Sequence, residues 1–181
     1  MNKIIYLVRH SKASGQSGDA SLTLEGRHQA EALAEFLSGI KAGRIVSSPF
    51  ARALQSIEPL ANRLNIEIKS DNRLVEAALS TIDYPDWLDK LRETFSDFEL
   101  SFEGGESSQA ATNRSVAAIN DALQSGNEPT IVVTHGRLMT LILKYFNSNY
   151  GFEDWRNLTT PDVFRIAIED DASQVDRIWR Q

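Results

Sequence analysis

Two short apolar runs set the frame of this chain. Residues 4–8 read Ile-Ile-Tyr-Leu-Val and residues 130–134 read Thr-Ile-Val-Val-Thr. Neither run alternates with polar residues, so each suits a strand buried on both faces, the pattern of a parallel sheet covered by helices. Stretches with helical spacing lie between and beyond them. Across 25–40 the apolar positions are Ala30, Leu33, Ala34, Leu37 and Ile40. Across 50–64 they are Ala53, Leu54, Ile57, Leu60, Ala61 and Leu64, with Pro59 expected to kink or split that helix. Residues 11–21 read as a loop, and 44–47 and 66–68 as short strands. Ser107 or Ser108 caps a helix running to about Ser125, closed by Gly126. Residues 138–146 are apolar almost all round, which predicts a buried helix, and 163–168 and 175–179 read as late, edge-like strands. This alternation predicts an α/β fold: a three-layer sandwich with a mostly parallel central sheet and helices on both faces. A length of 181 residues suits one domain spanning 1–181. Its irregular segment 71–105, with a helix around 86–95, would serve as a cap or lid.

Composition narrows the function. The formal net charge is −6, which disfavours nucleic acid as a partner. An anionic ligand must then be drawn in by a local cationic pocket. The chain has no cysteine, so disulfides, thiolate catalysis and cysteine-based zinc sites are excluded, and three histidines make a His-rich metal site a poor expectation. The apolar run at 4–8 is too short for a signal-peptide core or a membrane span. The chain therefore reads as cytoplasmic, with no membrane partner; its oligomeric state stays open.

The chemistry sits where the strands end. The first run leads into Arg9-His10 and the later one into His135-Gly136. Strand 44–47 leads through Ser48-Pro49-Phe50-Ala51 to Arg52, in the first turn of the next helix. Sites in open α/β sheets lie beyond the carboxyl ends of the strands. The topology thus brings two arginines and two histidines toward one spot. Guanidinium forks match phosphate oxygens, and a neutral imidazole is a competent nucleophile toward phosphorus. Phosphoryl transfer needs mainly positioning and charge neutralisation, which arginines can supply in place of Mg²⁺. Helices starting after Pro49 and Gly136 would add their N-terminal dipoles. Taken alone, each residue reads as structural or surface; the grouping carries the chemistry.

Five blocks resemble the phosphoglycerate-mutase-like histidine phosphatases. They are Leu7-Val8-Arg9-His10, Leu22-Thr23-Leu24-Glu25-Gly26-Arg27-His28-Gln29-Ala30, Ser47-Ser48-Pro49-Phe50-Ala51-Arg52-Ala53-Leu54-Gln55-Ser56, Gly104-Gly105-Glu106-Ser107 and Val133-Thr134-His135-Gly136. They occur in the family's order. The resemblance implies that His10 becomes a phosphohistidine, that Arg9, Arg52 and His135 complete the phosphate pocket, and that no cofactor or metal takes part. Glu76, in Arg73-Leu74-Val75-Glu76-Ala77, matches the family's acidic proton donor, and reads otherwise as a solvated loop carboxylate. Glu106 is a weaker candidate, read first as a helix N-terminal charge.

The chain also departs from the family. After His10 it has Ser11 and Lys12, where glycine and often glutamate are usual. Ser11 would offer a backbone or hydroxyl donor to phosphate, Gly136 would line the substrate site, and Lys12 reads as a surface lysine. His28 reads as a surface or helix-packing residue. Specificity is expected from 71–105 and from the tail, including Tyr84, Trp87, Phe102 and Trp155, unless these aromatics serve the core.

The resemblance implies hydrolysis of a small phosphorylated metabolite, because 65–103 leaves little room for the mutases' enclosing insertion. Three other readings stay open: a phosphohistidine protein phosphatase, a phosphoglycerate-type mutase and a non-catalytic phospho-ligand sensor. A dinuclear metal hydrolase fits less well, for want of histidines.

Overall fold

The computed structural model describes residues 3–124, 126, 129–170 and 172–179. Six strands form one mixed sheet: β1 (Lys3–Arg9), β2 (Arg44–Ser47), β3 (Ile68–Ser70), β4 (Thr130–Thr134), β5 (Asp162–Glu169) and β6 (Ala172–Arg177), in the order β3-β2-β4-β1-β5-β6. The pairs β3-β2, β2-β4 and β4-β1 are parallel, while β5 runs antiparallel to both β1 and β6. The expected mostly parallel sheet is thus completed by an antiparallel hairpin.

The period-two geometry of the central strands splits their side chains between two cores. Val8, Ile131 and Val133 pack with Leu33 and Leu37 of α1 (Leu24–Leu37) and Ile57 and Leu60 of α2 (Ala51–Leu64). Ile5, Leu7 and Val132 pack on the other face with Ala111 and Ile119 of α4 (Ser108–Gln124) and Leu138 and Leu141 of α5 (Gly136–Phe146). The same core includes Leu91 of α3 (Trp87–Ser96) and Phe152 of α6 (Phe152–Arg156). Burying each large aliphatic side chain contributes about 1.5–3 kcal/mol, so the two faces together outweigh any local conflict along the chain.

Several element ends shift from expectation for identifiable reasons. α2 runs unbroken through Pro59, because Ile57, Leu60 and Ala61 on either side of the proline are buried in the same core. β3 starts at Ile68 rather than at residue 66. Asn65 ends α2 in the left-handed region (φ 53°), and the Ile66 N–H still bonds back to the Ala61 carbonyl. Of the late strands, β5 lies inside the sheet and β6 alone is its edge, ending at Arg177 rather than at residue 179. Beyond it, Trp179 packs edge-on against Phe36 with ring centroids 5.1 Å apart. The Ser107 hydroxyl accepts from the Ala110 N–H at the start of α4; the expected end of that helix, Ser125, lies outside the described residues. A 3-10 turn at Asn72–Leu74 and the short α6 have no counterpart in the sequence reading.

α1 is seated by the loop that follows β1. The Thr23 hydroxyl caps the helix by accepting from the Gly26 N–H at 3.0 Å. A Cβ on Gly26 would lie 2.0 Å from the Lys12 carbonyl oxygen, so only glycine permits this approach.

Candidate active site

The carboxyl ends of β1, β4 and β2 lie level. Arg9 pairs with Thr134, and Val133 pairs with Ser47. Pairing extends one residue further, with His10 N–H donating to the Thr134 carbonyl (3.2 Å) and Ser48 N–H to the Val133 carbonyl (2.9 Å). Residues read as strand-end neighbours are therefore held on one line by ladder geometry.

His10 is 8% exposed. Its Nδ1 lies 2.7 Å from the Ser11 carbonyl, which can only accept, so Nδ1 carries the proton. The lone pair then belongs to Nε2, which accepts from Arg52 Nε at 3.2 Å. Burial is the main force lowering the His10 pKa to about 4; Arg52 and Arg9 add to it, against the Ser11 carbonyl. The ring is neutral at physiological pH.

His135 lies beside it, with ring centroids 5.1 Å apart. Its Nε2 is 2.8 Å from the Ser48 hydroxyl, and its Nδ1 is buried without a partner. Burial, then the charges of His10, Arg52 and Arg9, push its pKa down to about 2. Phe50 meets the same ring edge-on, at 5.1 Å between centroids.

Arg52 is almost wholly buried, with Nη1 on the carbonyls of Gln16 (3.1 Å) and Ser17 (2.8 Å). Arg9 reaches the carbonyls of Leu158 and Thr159 with Nη1, and its Nε is buried without a partner. Asp162, fully buried and ion-paired with Arg177, accepts the Thr159 N–H and so anchors the loop that receives Arg9. A Cβ on Gly136 would come 3.1 Å from the Arg9 guanidinium, so a larger residue there would displace it.

Glu76 caps α5. Its carboxylate accepts from the N–H groups of Ala77 (2.8 Å), Leu138 (2.9 Å) and Arg137 (3.1 Å). It also faces cations: its charge opposes the lowering of pKa that burial imposes on Arg9, Arg52 and Arg137. Arg9, Arg52, Glu76, Gly136 and Arg137 line one cavity of about 680 Å³, together with Gln16, Phe50, Trp87, Leu91 and Trp155.

Other expected residues fall elsewhere. The Ser11 N–H is taken by the Ser56 hydroxyl (2.8 Å), which leaves its own hydroxyl, buried and unpartnered, as the available donor. Glu106 is held by both arms of Arg114 at 2.7 Å, outside the cavity wall. Lys12 is ion-paired with Glu25 at the surface, and His28 is exposed on α1. Tyr84 and Phe102 form an edge-on pair with Lys90 over both rings, apart from the cavity that Trp87 and Trp155 line.

The sequence reading missed Arg137 and Ser48. Arg137 opens α5 and donates to the carbonyls of Ala77, Ala78 and Glu106, tying the 77–78 and 106–108 segments to the helix. A charged residue straight after His135-Gly136, ahead of an otherwise apolar helix, was the available signal. For Ser48 the signal was its place one residue beyond the level strand end. Among the described residues, no group of three or more His, Cys, Asp or Glu could hold a metal ion. No described helix is long and apolar enough to cross a membrane.

The chain has known relatives. The family described as the histidine phosphatase superfamily (branch 1) matches residues 5–179. A probable phosphoglycerate mutase GpmB of Proteus mirabilis is 28% identical over 159 residues, 77% of this chain and 72% of that protein. Phosphoserine phosphatase 1 of Hydrogenobacter thermophilus is 28% identical over 156 residues, 75% and 71% of the two chains. Among solved structures, a mycobacterial glucosyl-3-phosphoglycerate phosphatase superposes with a TM-score of 0.81 at 21% identity, over 98% of each chain. The phosphoglycerate mutase of Bacillus anthracis gives 0.75 at 18% identity, over 98% and 92%.

Proposed function

This chain belongs to branch 1 of the histidine phosphatase superfamily, and from that membership we propose that it hydrolyses small phosphomonoesters through a phosphohistidine on His10. One observation carries the reading: a neutral imidazole whose Nδ1–H is held by a carbonyl and whose Nε2 lone pair meets a buried arginine.

In the first step the Nε2 lone pair forms a bond to phosphorus while the bond from phosphorus to the leaving oxygen breaks. Arg9, Arg52 and the free Nδ1 of His135 are the groups that receive charge on the phosphoryl oxygens. Glu76, on the cavity wall, supplies a proton to the leaving alkoxide. In the second step a water, deprotonated by the same carboxylate, attacks phosphorus; the P–N bond breaks and its electron pair returns to Nε2. The arginines serve the charge-neutralising role without a metal ion. Water rather than a retained product is the acceptor, because segment 75–107 contributes one helix, α3, and leaves Trp87 on the cavity wall 47% exposed. Both phosphatases and mutases stand among the relatives, and this open wall favours the former.

The test is a trapped intermediate. With ³²P-labelled ester and chelator present, the protein should carry an acid-labile, alkali-stable label, and His10→Ala should carry none and turn nothing over. Undiminished turnover by His10→Ala, or phosphate binding without turnover of any ester, would overturn the proposal.

A further inference from the structure

The cavity over the phosphoryl pocket has a wall whose chemistry is unlike its floor. Trp155 stacks on Phe152 at 5.5 Å between centroids, and Phe152 is itself buried edge-on against Phe95. Trp87 stands edge-on to Trp155 at 6.3 Å. Leu91 lies one turn along α3 from Trp87 and is buried, so the two project to the same side of the helix. Trp87, Leu91 and Trp155 all line the cavity. Two elements distant in sequence thus place their indoles together, backed by packed rings. An aromatic wall held this way offers a flat apolar contact at little cost in side-chain entropy.

The wall provides no place for a second anion. Among the described residues, the cations lining the cavity are Arg9, Arg52 and Arg137. The first two face His10 or its neighbours and are committed to the phosphoryl group. Both terminal nitrogens of Arg137 already donate to protein carbonyls, and its Nε, without a partner, is buried. Glu76, the proposed proton donor, adds no positive charge to the same lining.

We infer that the alcohol released by this enzyme is apolar and ring-sized, carries no second anionic group, and rests against Trp87, Leu91 and Trp155. This rests on the phosphatase reading above and deepens it to a substrate class.

Three esters of primary alcohols separate recognition from leaving-group chemistry: benzyl phosphate, glycerol 3-phosphate and phosphoserine. Benzyl phosphate should have a kcat/KM about tenfold or more above phosphoserine, the scale of discrimination an apolar pocket achieves. Trp155→Ala and the half-exposed Trp87→Ala should each reduce kcat/KM for benzyl phosphate about tenfold more than for glycerol 3-phosphate, mainly through KM. Trp87→Phe should recover most of the loss. Equal losses on both esters, or phosphoserine matching benzyl phosphate, would overturn the inference while leaving the phosphatase reading intact. Absence of turnover even on p-nitrophenyl phosphate would overturn both.

Discussion

The Nε of Arg52 donates to Nε2 of His10 across 3.2 Å. The guanidinium that would grip a phosphate therefore also caps the lone pair of the proposed nucleophile. In the proposed mechanism a phosphate oxygen would give that donor a charged acceptor and leave Nε2 for attack. A lysine cannot present the same planar fork. Arg52→Lys is expected to lower kcat/KM by about 10²–10³, the scale for losing one preorganised donor. Steady-state kinetics with p-nitrophenyl phosphate check this, and a loss below threefold would contradict it.

The two site histidines link stability to pH. Their folded pKa values lie at about 4 and about 2, below the ordinary 6.5. The unfolded chain therefore binds more protons than the folded one between these limits. Their stabilising effect is complete above pH 6.5 and is lost as pH falls. Each histidine adds a slope of about 1.4 kcal/mol per pH unit at most. Urea unfolding from pH 7 to pH 4 should show the decline, and His135→Asn should flatten it. An unchanged slope in that variant would refute the assignment.

Glu76 caps α5, and the proposed mechanism gives it a second job that a single substitution can part from the first. Glu76→Gln retains an acceptor for part of the α5 cap but removes the proposed acid. Stability should fall by about 1 kcal/mol. Activity on alkyl phosphates should fall far more than on p-nitrophenyl phosphate, whose leaving group needs no proton. Parallel losses on the two substrates would reduce Glu76 to a cap.

Gly26 is expected to reject even a methyl group. A Cβ there meets the Lys12 carbonyl at 2.0 Å, so either α1 or the loop after His10 must move. Gly26→Ala should cost about 1–3 kcal/mol, the range for overpacking. Thermal unfolding reads the loss directly, and an unchanged midpoint would show that the loop gives way freely.

How much of this was written in the sequence follows from the range of each interaction. The strand-end residues Arg9, His10 and His135 were legible because an apolar run followed by polar residues marks a strand's exit. Arg52 was legible because Pro49 marks a helix start. The bond from Ser48 to His135 joins residues far apart in the chain, and only the sheet's register brings them together. The same holds for Arg137, whose partners lie on the 77–78 and 106–108 segments. Glu76 was placed by resemblance, yet its grip on the α5 N–H groups has no local signature. β6 is polar at Ser173, Gln174 and Asp176 and draws its pairing from β5, so apolar periodicity marked it poorly.

The level ends of β1, β4 and β2 also govern the order of assembly. β1 is made first and β4 late, and most of the chain lies between them. Contacts of such sequence separation form slowly, because the intervening loop must be closed before they reward it. A nascent or half-folded chain therefore has Arg9 and His10 without Thr134 and His135 beside them, and has no anion pocket at all. On the proposed function, orthophosphate would bind the finished sheet and nothing earlier. Its binding would add stability in proportion to the logarithm of its concentration, holding the completed fold closed from the site outward.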